Sequence, residues 1–184
     1  MKVTEQNQVK LLKHARLAIE NSLHSTQYHY KVPTSSILSK KHGIFITIFV
    51  DDALRGSLGY VDSEQCIMES VAELAKAVSQ GNGKYAKLEK YELPYLTIRI
   101  DIFSPLHQIF NKDEIEIGKH GLYVKHPDGE GLLFPQDAIV RDFNRLIFLN
   151  EVCHKAGLPS FTWEDDECKV YTFETFSFSD KDHI

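Results

Sequence analysis

Apolar residues recur at helical spacing near the start of the chain. Val9, Leu11, Leu12, Ala15, Leu17, Ala18, Ile19 and Leu23 form a broad stripe on an otherwise polar stretch, which predicts an amphipathic helix over residues 5–23. Residues 22–39 mix His, Tyr, Ser and Thr around Pro33 and keep neither the helical nor the strand period, so a loop with one short helical turn is expected. The run Ile44-Phe45-Ile46-Thr47-Ile48-Phe49-Val50 is β-branched and aromatic, and Asp51-Asp52-Ala53 separates it from a second run over 54–61. Together they read as a β-hairpin. Ile67, Met68, Val71, Leu74, Ala75 and Val78 return to helical spacing, with Ser63-Glu64 as the expected start and Gly81-Asn82-Gly83 as the stop.

Residues 95–103 alternate Leu96, Ile98, Ile100 and Ile102 against Thr97, Arg99, Asp101 and Phe103, the period of a strand with one buried face. A second hairpin is expected from residues 121–125 and 131–134, joined through His126-Pro127-Asp128-Gly129-Glu130. Pro135 suits the first turn of a short helix to Val140, and Asn144 the cap of a helix closed by Gly157. One closing strand over 169–178 and a frayed tail over 179–184 complete the pattern. Because the strands come as hairpins and do not alternate strictly with helices, the expected fold class is α+β: a mainly antiparallel sheet flanked by helices.

Composition narrows this picture. At 184 residues the chain fits a single domain, and it is long enough to bury a core without disulfides or a structural metal. The formal charge of -5, from 21 Lys plus Arg against 26 Asp plus Glu, opposes nucleic-acid binding, which depends on displacing counterions from phosphates. The first residues lack the apolar segment of a signal peptide, and no run approaches the ~20 apolar residues of a membrane span. A cytoplasmic protein without membrane contact is expected. Cys66, Cys153 and Cys168 are widely spaced with no C-x-x-C pair and read as reduced thiols, Cys66 and Cys153 on buried helix faces.

Three stretches, in order, carry a resemblance. The first is Gly43-Ile44-Phe45-Ile46-Thr47-Ile48 through Leu54-Arg55-Gly56-Ser57-Leu58-Gly59. The second is Ile117-Gly118-Lys119-His120-Gly121-Leu122, followed by Leu132-Leu133-Phe134-Pro135-Gln136. The third is Cys153-His154-Lys155-Ala156-Gly157-Leu158-Pro159 with Trp163 beyond. Over about residues 8–178 the chain resembles the AMMECR-type family, whose prokaryotic members include the A component of the AmmeMemoRadiSam system. The resemblance implies one domain over 1–184, an α+β fold in two unequal subdomains, and signature segments meeting at a cleft. It implies no agreed activity, but points to Memo-like and radical SAM partners and hence to modification chemistry. Ser57 stands where the family signature has Cys, which removes a thiolate or soft metal ligand from that place.

The cleft expected from this resemblance is built from Arg55, Ser57, Lys119, His120 and Gln136. A guanidinium fork at Arg55 suits a carboxylate or phosphate, and equally a structural acid. Gly56 and Gly59 permit close approach of a ligand, or a bulge. Gly118 and Gly121 bound a tight segment presenting an ammonium and an imidazole, or serve turn geometry alone. His120 is the acid or base candidate and Ser57 the nucleophile candidate, the latter without a Gly-x-Ser-x-Gly elbow. Replacing Arg55 or His120 by Ala is expected to leave stability within about 1 kcal/mol. Cys153 and His154, adjacent on a helix, point about 100 degrees apart, so no metal is assigned, and no phosphate or dinucleotide fingerprint implies a cofactor. The expected function is that of an enzyme or enzyme component binding an anionic small molecule or peptide group, the alternative a noncatalytic adaptor.

Overall fold

The computed structural model describes residues 3–33 and 36–183. Its helices are α1 (Glu5–His24), α2 (Ile67–Ser79), α3 (Pro135–Val140) and α4 (Arg145–Lys155). Its strands are β1 (Ile44–Val50), β2 (Ala53–Tyr60), β3 (Leu96–Phe103), β4 (His107–Ile109), β5 (Gly121–His126), β6 (Gly129–Leu133), β7 (Lys169–Phe173) and β8 (Thr175–Ser179). They form two four-stranded sheets in two compact units: unit 1 takes residues 1–102 and 176–184, and unit 2 takes residues 103–175. The fold class is α+β, with two sheets where the sequence pattern suggested one.

In unit 1 the sheet order is β2-β1-β3-β8. Ile46 pairs with Ile100 and Ile48 with Ile98, all four without solvent exposure, so period-two alternation on both strands supplies one apolar face. Each such side chain contributes about 2–3 kcal/mol of burial. Helix α2 packs on β1 and β2 through Val71, Leu74, Ala75 and Val78, and α1 packs on α2 through Leu11, Leu12, Ala15, Ala18 and Ile19. The α1 stripe ends where the sequence pattern ends it, and Thr4 caps the helix by accepting the Asn7 N–H.

Helix α2 starts three residues later than Ser63-Glu64 suggested. Its cap is Cys66, whose N–H donates to the Glu69 carboxylate, while Ser63 shares a hydrogen bond with Ser70. Nor does the tail fray over its described residues: Asp180 takes Arg16 at 2.7 Å and the Ile98 N–H at 3.0 Å. The C-terminal Ile184 lies outside the described residues.

In unit 2 the sheet order is β4-β7-β5-β6, and α4 packs on β5 and β6. Asn144 caps α4 by accepting the Ile147 N–H, and the helix buries Phe148, Leu149, Val152 and Cys153 against Leu122, Val124 and Val170. Phe103 and Phe173 stack at 4.3 Å between ring centres. The single closing strand expected over 169–178 is in fact two. The chain pauses at Glu174, so β7 joins the sheet of unit 2 and β8 that of unit 1. The aromatic positions change phase across the break, from Tyr171 and Phe173 to Phe176 and Phe178, with Glu174 between them.

Candidate functional site

The β1–β2 hairpin turns through Asp51 and Asp52, both left-handed at φ 48° and 64°, as a two-residue turn matched to strand twist requires. Ile48 pairs with Gly56 but Phe49 pairs with Leu54, which leaves Arg55 as the extra residue of a β-bulge. Bulges re-aim side chains. Here the guanidinium meets Glu92 with both Nε and NH2 at 3.2 Å, and donates to the carbonyls of Ala86 at 2.6 Å and Lys87 at 2.9 Å. This is the structural use that competed with ligand binding in the sequence. The hydrogen bonds from Arg55 hold the Glu92 carboxyl below the usual carboxylate range against the opposing effect of burial, with the Glu89 N–H assisting.

Ser57 pairs with Thr47 across the two strands, and their hydroxyls lie 2.9 Å apart. Gly59 faces Phe45, and a β-carbon at Gly59 would sit 2.2 Å from the Phe45 ring and 2.5 Å from the Ile44 carbonyl oxygen. Close packing of an aromatic ring over the backbone is therefore what this signature glycine permits.

In unit 2, residues 116–120 close on themselves in both directions. The His120 N–H donates to the Glu116 carbonyl at 2.9 Å, and the Glu116 N–H donates to His120 Nδ1 at 3.2 Å, with Gly118 left-handed between them at φ 84°. A backbone N–H can only donate, so Nδ1 is an acceptor and Nε2 carries the proton of the neutral ring. The next residue is Gly121, where a β-carbon would lie 2.4 Å from the Phe173 ring and 2.9 Å from the Leu133 carbonyl oxygen.

His120 lines a pocket of about 260 Å³ with Ser104, His107, Glu114, Thr172 and Glu174. Glu114 accepts the N–H groups of Phe110 and Asn111, which hold its carboxyl low, and lies 3.9 Å from His107 Nε2. Glu174 is tied to Ser104 by two hydrogen bonds of 2.9 Å, one through the Ser104 hydroxyl. Lys119 pairs with Glu116 at 2.9 Å, which raises its pKa and lowers that of Glu116, and reaches Glu174 at 3.9 Å. Gln136 stands half-buried on α3 and does not line this pocket.

Thus Arg55 and Ser57 belong to unit 1, and Lys119, His120 and Gln136 to unit 2. The sequence reading missed His107, Glu114 and Glu174. Glu174 was hidden inside an apparent continuous strand, and the only cue to His107 was its place just after Ser104-Pro105. Among the described residues no group of three or more His, Cys, Asp or Glu side chains could hold a metal ion. Nor is any described helix long and apolar enough to cross a membrane.

Comparison with known proteins places this arrangement. The chain is 30% identical to Protein MK0488 of Methanopyrus kandleri over 181 residues, covering 94% of this chain and 87% of that one. It is 30% identical to Protein NEQ441 of Nanoarchaeum equitans over 173 residues, covering 90% and 96%. In structure it is similar to the uncharacterized protein PH0010 of Pyrococcus horikoshii, with a TM-score of 0.86 and 27% identity over 97% of this chain and 94% of that one. The AMMECR1 family matches residues 12–178, taking in all three of the segments singled out in the sequence, and the chain belongs to that family.

Proposed function

We propose that the protein is an enzyme or enzyme component that binds a peptide group, or a small anionic molecule, against His120 in unit 2. The observation that supports this reading is the locked imidazole: its Nδ1 is occupied by the Glu116 N–H, its Nε2–H remains, and carboxylates share the pocket. A donor and acceptors share the pocket, Nε2–H of His120 with the carboxylates of Glu114 and Glu174, while Lys119 is not among its lining residues and pairs with Glu116. That mixture suits a peptide amide, which offers an N–H and a carbonyl together, better than a bare anion. With Nδ1 held by the Glu116 N–H, His120 can donate a hydrogen bond from Nε2 to a carbonyl or carboxylate oxygen of the ligand. Arg55 is not part of this reading, since its donors are engaged. The setting we propose is cytoplasmic, beside Memo-like and radical SAM partners.

A second reading, the adaptor, draws support from exposed apolar side chains in unit 2, Phe110 at 89%, Val140 at 83% and Ile139 at 61%. Titrating the full chain with N-acetyl dipeptide amides, acetate and phosphate, while following the histidine ring resonances by NMR, separates the two. Movement of the His120 ring, lost with at least about tenfold of affinity in His120→Gln, is the expected result. Ring signals unmoved by every probe up to about 10 mM, together with capture of a Memo-like partner through Val140 and Phe110, would replace the enzyme reading with the adaptor.

A further inference from the structure

Unit 1 carries a feature that plays no part in the proposal above. His14 is buried on α1 at 3% exposure, with Nε2 2.9 Å from the Met68 carbonyl oxygen and Nδ1 2.7 Å from the Tyr28 hydroxyl. A carbonyl only accepts, so Nε2 carries the proton, Nδ1 accepts, and Tyr28 donates. Burial, the largest influence on His14, pushes its pKa down and favours this neutral ring. Tyr30 packs edge-on to His14 at 4.6 Å and lies 5.5 Å from Tyr28, so one helix residue holds two loop tyrosines in a three-ring cluster. The sequence shows only a crowd of His and Tyr here. The fold turns it into an ordered aromatic wall.

That wall borders a cavity of about 500 Å³, within the range of ligand sites, whose remaining lining includes Met68, Leu17 and the side chains of Lys10, Lys13 and Lys31. No acidic residue lines it, and none of the three lysines forms an ion pair among the described residues. In a chain of net charge -5, three unneutralised ammonium groups around a mostly apolar, ring-lined cavity are matched to one ligand chemistry. We infer that this cavity binds a small anion carrying a planar apolar body, with the body against Tyr28, Tyr30 and Met68 and the anionic group among Lys10, Lys13 and Lys31. A neighbouring cavity of about 520 Å³ shares both tyrosines but is lined by Glu69 and Glu73 against the single cation Lys76, a net negative lining that disfavours the same ligand. The two cavities therefore share the tyrosines and differ in charge, and charge selects between them.

The test uses the full chain with two planar anions, adenosine monophosphate and 2-naphthoate, beside their neutral counterparts adenosine and 2-naphthamide and the bare anions phosphate and acetate. Calorimetry and amide NMR should show both or either planar anion binding, with shifts at residues 10, 13, 31 and 68. Neutral and bare probes should bind at least about tenfold more weakly. Preference for the monophosphate would assign a phosphate ligand, and preference for naphthoate a carboxylate, each in keeping with the inference. The triple variant Lys10→Gln, Lys13→Gln, Lys31→Gln should lose about tenfold or more, as should Tyr30→Ala, with thermal unfolding checked to show that both fold. Glu69→Gln with Glu73→Gln should leave binding as tight as before. No binding of either planar anion at about 5 mM would overturn the inference. So would binding that ignores the lysine variant, or that weakens when Glu69 and Glu73 are neutralised.

Discussion

The bulged segment around Arg55 in unit 1 and the turn around His120 in unit 2 look alike in sequence: each sets a polar residue beside small, glycine-flanked positions. Their local chemistry differs. Arg55 is met by a carboxylate and two carbonyls, and Ser57 by Thr47, so the polar groups of the first segment hold two strands and a nearby loop together. His120 is fixed by one backbone N–H and keeps its second nitrogen for the pocket it lines. A glycine-bounded polar motif thus announces a tight backbone, and the number of partners inside the fold decides whether the polar group is structural or left for chemistry.

The largest expected effect comes from the glycines that both segments share. Gly59→Ala should destabilise unit 1 by about 3 kcal/mol or more, since the new methyl would meet the Ile44 carbonyl oxygen as well as the Phe45 ring, and neither can simply rotate away. Chemical denaturation measures it, and a tolerated Gly59→Ala would remove the packing explanation of the signature.

Next in size is Arg55→Ala, at about 2–3 kcal/mol, because it leaves the buried Glu92 carboxylate without its partner. This replaces the effect of about 1 kcal/mol or less that the sequence alone suggested. The dependence on pH has a fixed sign. The folded Glu92 carboxyl titrates below its unfolded value, so its contribution is complete above the unfolded pKa of about 4.3 and disappears as pH falls through the lower folded value. Denaturation of wild type and Glu92→Gln should therefore give stabilities that converge in acid. A gap that persists there would assign the loss to packing.

The smallest effect belongs to His120→Ala, within about 0.5 kcal/mol, since only one hydrogen bond to an exposed turn is lost. A loss as large as that of Arg55→Ala would erase the contrast between the two segments and make His120 structural as well.

Most of the fold was legible in the chain. The α1 stripe, the 44–60 hairpin, the cap at Asn144 and the strand at 96–103 follow from periodicity and local hydrogen-bonding chemistry, which act over a few residues. What escaped was set by partners distant in sequence. Ser63 is as good a cap residue as Cys66 until Ser70 takes its hydroxyl, and the break at Glu174 exists because β7 and β8 answer to different sheets. The site divided the same way. His120 stood out through its flanking glycines, whereas Glu114 and Glu174 are ordinary surface acids until the fold brings them to His120.

The placement of β8 has a consequence for how the chain is made. Unit 2 is an uninterrupted segment, residues 103–175, and every strand and helix it needs is present once residue 175 has been synthesised. Unit 1 is split around it. Its sheet has an open edge on β3, and Arg16 and Asp101 lack Asp180 and Ser177, until residues 176–183 leave the ribosome. The part of the protein translated first is thus the part completed last, and through that interval the unpaired edge of β3 is the place where a nascent chain is open to mispairing with another strand.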